Sequence, residues 1–293
     1  MNQLKYYQEA NDLNFNKLIA PVLVSLACAI ILGFLYAVLV YFIPFPYVTF
    51  FMAIGLAMAI GFCSRLTLRF FKITGKKNHI LLLIVMVFFT YYFHWVAYLI
   101  LFFEEGGLSI TGYIYSLPWM LFPDFSFFNA INLLATAGAW SMFGIIFSGI
   151  ALVIVWILEF AIIAAIAIKT GLNSNVIPFS YKFNKWYPKF TLTDQFEHVA
   201  SIKYIESQIK DTNVLDFINK LDQGQGFAFS RIHIYFNKQE HDQYLTFEKV
   251  NVESRGEGKT NVTPMVQHLR ISTIEAESIL QKHNNKLERF DLF

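Results

Sequence analysis

The sequence predicts a membrane protein, a four-span transmembrane α-helical bundle followed by a C-terminal cytoplasmic α+β domain. The chain has 293 residues, a mean hydropathy of +0.46 and 56% hydrophobic residues, against about 45–50% in ordinary soluble domains. Its charges are uneven, because positions 1–170 hold 14 charged residues and positions 171–293 hold 30. Basic and acidic loops also alternate between the apolar segments. These three observations predict a lipid-soluble part and a water-soluble part.

The apolar segments define the spans, since a bilayer-spanning helix needs roughly 20 apolar residues. Pro44 and Pro46 end the first segment, because proline cannot continue a helix. The last segment lies within an apolar stretch, 129–168, whose one charge is Glu159, and residues 129–145 lie at the outer face or extend the last helix. The predicted spans are 18–43, 47–64, 80–103 and 146–168, within a transmembrane domain at 18–169.

The loop charges orient these spans. The loop after span two carries five basic residues and no acidic one, whereas loop 104–128 carries Glu104, Glu105 and Asp124 and no basic one. Basic short loops stay in the cytoplasm, which predicts that segment 1–17 and the C-terminus are cytoplasmic. Richness in Phe, Ile, Asn and Lys suggests an AT-rich bacterial genome, and we therefore predict a bacterial inner membrane as the location. The outer loop, rich in aromatic residues, is either an interfacial anchor or a lid.

Two ionisable residues, His94 and Glu159, lie well inside the predicted spans. Such groups are costly in a membrane and often functional. Tyr91 and Tyr98 share a helical stripe with His94, and Thr90 lies beside it. The pair is either a proton or cation relay or a structural hydrogen bond between spans three and four.

Small residues in span two recur at a spacing of four, which places each set on one helix face. Small residues at this spacing let membrane helices approach closely. The predicted packing residues are Ala53, Ala57 and Gly61 on one face and Gly55 and Ala59 on another.

A linker at 170–190 alternates lysines with aromatic residues next to the membrane. This composition suits an anionic lipid surface. The predicted anionic-lipid contacts are Arg65, Arg69, Lys72, Lys76 and Lys77 in the basic loop, and Lys182, Lys185 and Lys189 in the linker.

The tail, 191–293, is long enough for one small domain. Helical spacing of apolar residues predicts helices at 193–210 and 213–222. Runs rich in β-branched and aromatic residues predict strands at 227–236, 244–252 and 260–271, with Pro264 marking an edge or a bulge. Ser272 and Glu275 form a capping box that opens a helix to about 289. The predicted order is ααβββα, an antiparallel meander.

The stretch ESRGEGKT at 253–260 ends like a phosphate-binding loop. The motif requires glycine five residues before Gly258 and a helix after the loop. The chain has Glu253 there, and NVTPMV follows. We therefore predict a hairpin loop and no nucleotide.

No other motif indicates chemistry. His198, His233, His241, His268 and His283 lack metal-ligand spacing, although His233 and His268 could approach on neighbouring strands. A net charge of +2 does not indicate nucleic acid. We predict no catalytic set, metal or cofactor, and a role other than that of an enzyme.

Two functions remain. The first is an inner-membrane subunit or scaffold whose tail docks a protein partner, or a homo-oligomer in the bilayer. The alternative is a transporter or channel in which His94 and Glu159 line a pathway that the tail regulates.

Overall fold

The computed structural model describes residues 4–9, 15–103, 118–119, 121–138, 140–142, 145–172, 177–199, 201–224, 227–252 and 260–288. The chain divides into two compact units. The unit that holds the four long apolar helices comprises Ala10–Asn175, and the unit that holds the sheet comprises Met1–Glu9 together with Val176–Phe293. We name them the membrane unit and the soluble unit after the parts that the sequence predicts.

The membrane unit contains four helices that are long and apolar enough to cross a membrane. This confirms the predicted number of spans by length and composition. The helices are α1 (Phe15–Phe42), α2 (Pro46–Phe70), α3 (Lys76–Phe103) and α5 (Ile150–Leu172).

The segment before the last span does not extend that helix, which was one of the two predicted alternatives for residues 129–145. Residues Phe125–Ala137 form a separate helix, α4, and Trp140–Met142 (β1) pairs with Ile145–Phe147 (β2) as a hairpin. Gly138 ends α4 with a φ of 78°, a conformation that glycine adopts without a steric penalty. The last span therefore begins and ends about four residues later than predicted.

Helix α2 also runs further than predicted, to Phe70 instead of residue 64. Arg65 and Arg69 thus lie on its last turns, while Lys72 lies in the turn that follows. Long basic side chains can extend along a helix toward the membrane surface, so the two arginines do not end the span.

Close backbone contact joins the helices in two pairs: α1 packs along α3, and α2 packs along α5. A Cβ atom at Gly33 would lie 2.6 Å from the Thr90 carbonyl oxygen, and one at Gly61 would lie 2.9 Å from the Ala167 carbonyl oxygen. Without a strong hydrophobic force inside lipid, such van der Waals packing holds membrane helices together.

The soluble unit is built on an antiparallel sheet of five strands in the order β8-β7-β6-β5-β9. Its strands are β5 (Lys189–Leu192), β6 (Ala228–Tyr235), β7 (Asp242–Val252), β8 (Thr260–Ser272) and β9 (Asn285–Glu288). A two-stranded hairpin, β3 (Phe179–Ser180) and β4 (Lys185–Trp186), precedes it.

Three helices pack on one face of this sheet: α6 (Ile202–Asp211), α7 (Val214–Lys220) and α8 (Thr273–Lys282). Alternate residues of the central strands face them, because side chains of a strand point to opposite faces. The resulting core includes Ile205, Ile209, Phe217, Ile218, Ile232, Ile234, Leu245, Phe247, Leu269 and Ile279.

The predicted order ααβββα omits two of these strands. Over the sheet and its helices, the described order is β5-α6-α7-β6-β7-β8-α8-β9. Strand β5 lies partly in the predicted linker, and β9 lies where the last helix was predicted to continue. Both strands have only four residues, too few to show a period. The capping box of Ser272 and Glu275 at the start of α8 is confirmed.

Residues 4–9 belong to this unit, although the sequence predicted a separate segment at 1–17. The Tyr7 N–H donates to the His268 carbonyl at 2.9 Å, and the Arg270 N–H donates to the Lys5 carbonyl at 2.8 Å. Strand β8 is an end strand of the sheet and has a bulge between Pro264 and Leu269. His268 lies in that bulge with a φ of 51°.

Candidate functional site

Glu159 lies nine residues into α5, about 14 Å from its first residue at 1.5 Å per residue. Its carboxylate accepts a hydrogen bond from the Tyr36 hydroxyl of α1. The Tyr91 hydroxyl of α3 lies beside the same carboxylate and donates to the Trp156 carbonyl at 2.9 Å. Helices α1 and α3 therefore each present a tyrosine hydroxyl to Glu159 of α5.

His94 lies at a matching depth, nine residues before the end of α3. It is only 3% exposed, and its ring centroid lies 4.7 Å from that of Tyr36 and 5.9 Å from that of Tyr98. Within the described part of the chain, its Nδ1 has no hydrogen-bond partner. A buried polar atom without a partner usually costs about 1–3 kcal/mol.

No direct hydrogen bond joins His94 and Glu159 among the described residues. Tyr36 connects them instead, because its ring contacts His94 while its hydroxyl binds Glu159. Tyr36 carried no signal in the sequence, since it lies in an apolar helix without polar periodicity.

A cavity of about 230 Å³ opens beside His94 and Glu159. Trp95 and Trp156 lie in its wall with their ring centroids 4.6 Å apart. Its remaining walls are mainly apolar, and its described lining residues include no lysine or arginine. The lining residues are Val40, Pro46, Thr49, Phe50, Ala53, His94, Trp95, Tyr98, Leu134, Val155, Trp156, Leu158, Glu159 and Ile162.

The predicted stripe on α3 divides between two surroundings. Tyr91 and Tyr98 contact the His94 ring. Thr90 is fully buried, and its carbonyl lies against Gly33 of α1. The stripe thus faces the interior of the helices, as an ionisable residue in a membrane requires.

The predicted packing residues of α2 differ in how deeply they are buried. Ala53, Ala57 and Gly61 are buried, and Gly61 approaches α5. Gly55 is exposed with open space around it, and Ala59 is half-buried.

The predicted lipid-contact residues are mostly accessible. Lys72, Lys76, Lys77, Lys182 and Lys185 are exposed, whereas Arg65 and Arg69 are half-buried on α2.

Lys189 differs from its predicted lipid contact. It is buried on β5, and its Nζ lies 2.9 Å from Glu288 Oε2 of β9. A buried, paired ammonium group cannot serve a lipid headgroup.

A polar row crosses four strands of the soluble unit. The Thr191 hydroxyl donates to Glu288 and lies 2.7 Å from His233 Nδ1, and His233 Nε2 lies 2.8 Å from Glu248 Oε2. Burial acts to raise the pKa of Glu248, but the hydrogen bond and charge of His233 hold it below its usual range. Burial likewise acts to raise the pKa of Glu288, but its contacts with Thr191 and Lys189 hold that pKa below its usual range.

The row includes His233 but not His268. His233 lies on β6 and His268 on β8, with β7 between them, so they do not lie on neighbouring strands. The described residues contain no group of three or more His, Cys, Asp or Glu side chains that could hold a metal ion.

A second cleft, of about 560 Å³, lies in the soluble unit. Its walls include the tyrosines Tyr7, Tyr187 and Tyr244 and the ion pair of Asp242 with Arg270. Burial, and the carboxylates of Glu240 and Asp242, raise the pKa of Tyr187, so this phenol stays a neutral hydrogen-bonding group.

The ESRGEGKT stretch falls outside the described residues except for Thr260, the first residue of β8. The interpretation of this stretch as a hairpin loop therefore stays a prediction. The two acidic residues Glu104 and Glu105 of the predicted outer loop also lie outside the described residues.

Comparison with protein-family models, with curated proteins and with solved structures finds no match to this chain. Its function is therefore argued from the residues alone.

Proposed function

We propose that this chain is a multi-pass carrier or channel that moves a proton or another cation by way of Glu159. The observation that supports this proposal is the cavity, where one carboxylate and one imidazole lie among mainly apolar walls whose described residues include no lysine or arginine. Glu159 is the one acidic residue within the four spanning helices. A carboxylate in lipid is kept where it has a function or a partner.

A purely structural pair explains this arrangement less well. A structural lock would satisfy both residues with hydrogen bonds, because an unpaired polar group is costly inside a protein. Glu159 is satisfied by Tyr36, but His94 Nδ1 has no partner among the described residues. The His94 side chain instead borders the cavity, where a bound group can reach it.

The orientation and the tail belong to the same proposal. The loop charges favour cytoplasmic termini in a bacterial inner membrane. The soluble unit would then lie in the cytoplasm and regulate the membrane unit, to which the chain connects it at both ends.

The experiment is a flux assay on the full chain in liposomes that hold a trapped pH-sensitive dye. A potassium gradient with valinomycin provides the driving potential. We expect proton flux above that of protein-free vesicles, and we expect Glu159→Gln to abolish it, because the amide cannot release a proton.

The matched control is Glu197→Gln, which makes the same change at an exposed residue of the soluble unit. It should keep the flux of the unmodified chain. Equal proton flux in Glu159→Gln and Glu197→Gln, together with equal uptake of an organic monovalent cation by the two variants under the same potential, would refute the proposal.

A second candidate is a subunit or scaffold of a membrane complex. The exposure of α5 favours this candidate, because only 17% of the most apolar stretch of this helix is buried. Val153, Ile154 and Ile157 are among the exposed residues, and a partner helix could cover them as well as lipid does. Affinity purification in mild detergent distinguishes these alternatives, since a scaffold predicts a partner recovered in near-equal amount.

A further inference from the structure

The chemistry of the Glu159 cavity indicates its ligand, and this step rests on the proposed function. We propose that the cavity binds an organic monovalent cation with an aromatic or branched apolar body, such as a small quaternary ammonium ion. The carboxylate of Glu159 would hold the charge, and the surrounding rings would hold the body.

The charge of Glu159 favours a cationic ligand. Glu159 receives a hydrogen bond from Tyr36, and the described residues that line the cavity include no lysine or arginine. Lys169 lies ten residues further along α5, or about 15 Å of helix rise. Arg65 lies twelve residues from the cavity residue Ala53, or about 18 Å along α2. The countercharge of an ionised Glu159 is therefore either a proton on His94 or a bound cation.

Aromatic side chains in the cavity wall also favour a cation. Trp95, Trp156 and Tyr98 border the cavity together with Phe50. The faces of aromatic rings attract cations, and tryptophan does so best. Aliphatic residues such as Val155 and Ile162 complete the lining, which favours a ligand with an apolar body.

The lining also fits a divalent metal ion poorly. Calcium takes six to eight oxygen ligands, and magnesium demands near-octahedral oxygen geometry. The lining offers the Glu159 carboxylate, with Thr49 and Tyr98 as its other oxygen-bearing side chains. An organic cation needs fewer oxygen ligands, because part of its surface is apolar.

A ligand can enter the cavity from the lipid. Phe50 of α2 and Leu158 of α5 line the cavity and are also 49% and 56% exposed. The wall of the cavity therefore reaches the outer surface of the spanning helices, where an amphiphilic ligand dissolved in lipid can reach the carboxylate.

Proton competition follows from the same geometry. The titratable groups that face Glu159 are Tyr36 from α1 and Tyr91, His94 and Tyr98 from α3. The described lining residues of α2 and α4 include no titratable group. A proton on Glu159 removes the charge that attracts the cation, so affinity should fall as the pH is lowered.

The test compares two ligands of one shape on the full chain in nonionic micelles. The ligands are phenyltrimethylammonium and tert-butylbenzene, in which a neutral carbon replaces the charged nitrogen. Equilibrium dialysis against protein-free micelles measures the binding of each. We expect Glu159→Gln to weaken the cation at least about tenfold, a change of about 1.4 kcal/mol, and to remove its pH dependence. Binding of tert-butylbenzene should not change.

The outcomes separate the two proposals. Cation binding that Glu159→Gln does not alter would overturn this inference. If the cation does not bind but the flux of protons still depends on Glu159, the carrier proposal stands and this inference fails. If neither ligand binds and no flux depends on Glu159, both fail. Glu197→Gln serves as the control for general effects of the substitution, and circular dichroism confirms that each variant is folded.

Discussion

Replacing Gly61 by alanine tests how tightly α2 packs on α5, the helix that carries Glu159. The new Cβ atom would lie 2.9 Å from the Ala167 carbonyl oxygen, the Gly171 nitrogen and the Thr170 Cβ atom. Ordinary contacts are about 3.5–4.0 Å, so the two helices must separate by roughly 0.5–1 Å, which forfeits a quarter to a half of each local dispersion contact. We expect a cost of about 1–3 kcal/mol, typical of overpacking.

Gly55→Ala is the matched control on the same helix, because a Cβ atom there meets nothing within 4 Å. Both variants gain the same helix propensity, about 1 kcal/mol, so the difference between them isolates the close approach. The assay is equilibrium unfolding of the full chain in mixed micelles, followed by far-ultraviolet circular dichroism. If Gly61→Ala is as stable as Gly55→Ala, α2 does not pack closely on α5 at Gly61.

Three further predictions concern both units. The low pKa values of Glu248 and Glu288 contribute stability that is present above the unfolded pKa of about 4.3 and lost as the pH falls through the folded value. Acid unfolding followed by circular dichroism should therefore show this loss below about pH 4, and Glu248→Gln should reduce it. Phe247 is 1% exposed in the core, and Phe247→Ala should cost about 3–5 kcal/mol in denaturant unfolding. Phe227→Ala, at a residue 64% exposed, should change stability by less than about 0.5 kcal/mol, and similar losses in the two variants would contradict the core assignment. Tyr36→Phe removes the donor to Glu159 and should destabilise the spanning helices by about 1–3 kcal/mol in mixed-micelle unfolding, whereas an unchanged stability would contradict this hydrogen bond.

The number of spans was predictable because hydropathy depends on composition over about 20 residues. The ends of the spans were less predictable. Arg65 and Arg69 suggested that α2 ends early, yet the helix includes both. The helix α4 could not be separated from the last span, because both are apolar and the stretch between them, 138–149, has glycines but no charged residue.

The candidate site was predictable only in part. His94 and Glu159 were found because ionisable groups are rare in spans. The role of Tyr36 was not, since a uniformly apolar helix does not reveal which face meets its neighbour. The polar row from Glu288 to Glu248 was also missed, because its strands β5 and β9 have four residues each and the register between strands is set by tertiary packing.

The most direct test of the account is chemical labelling of Glu159 in the folded full chain by a membrane-soluble carbodiimide, read by peptide mass spectrometry. We predict that Glu159 is labelled, because its cavity reaches the outer surface of the spanning helices. We also predict that phenyltrimethylammonium protects Glu159 over the same concentration range in which it binds. A folded protein whose Glu159 resists the reagent, or whose labelling the cation leaves unchanged, would contradict the account.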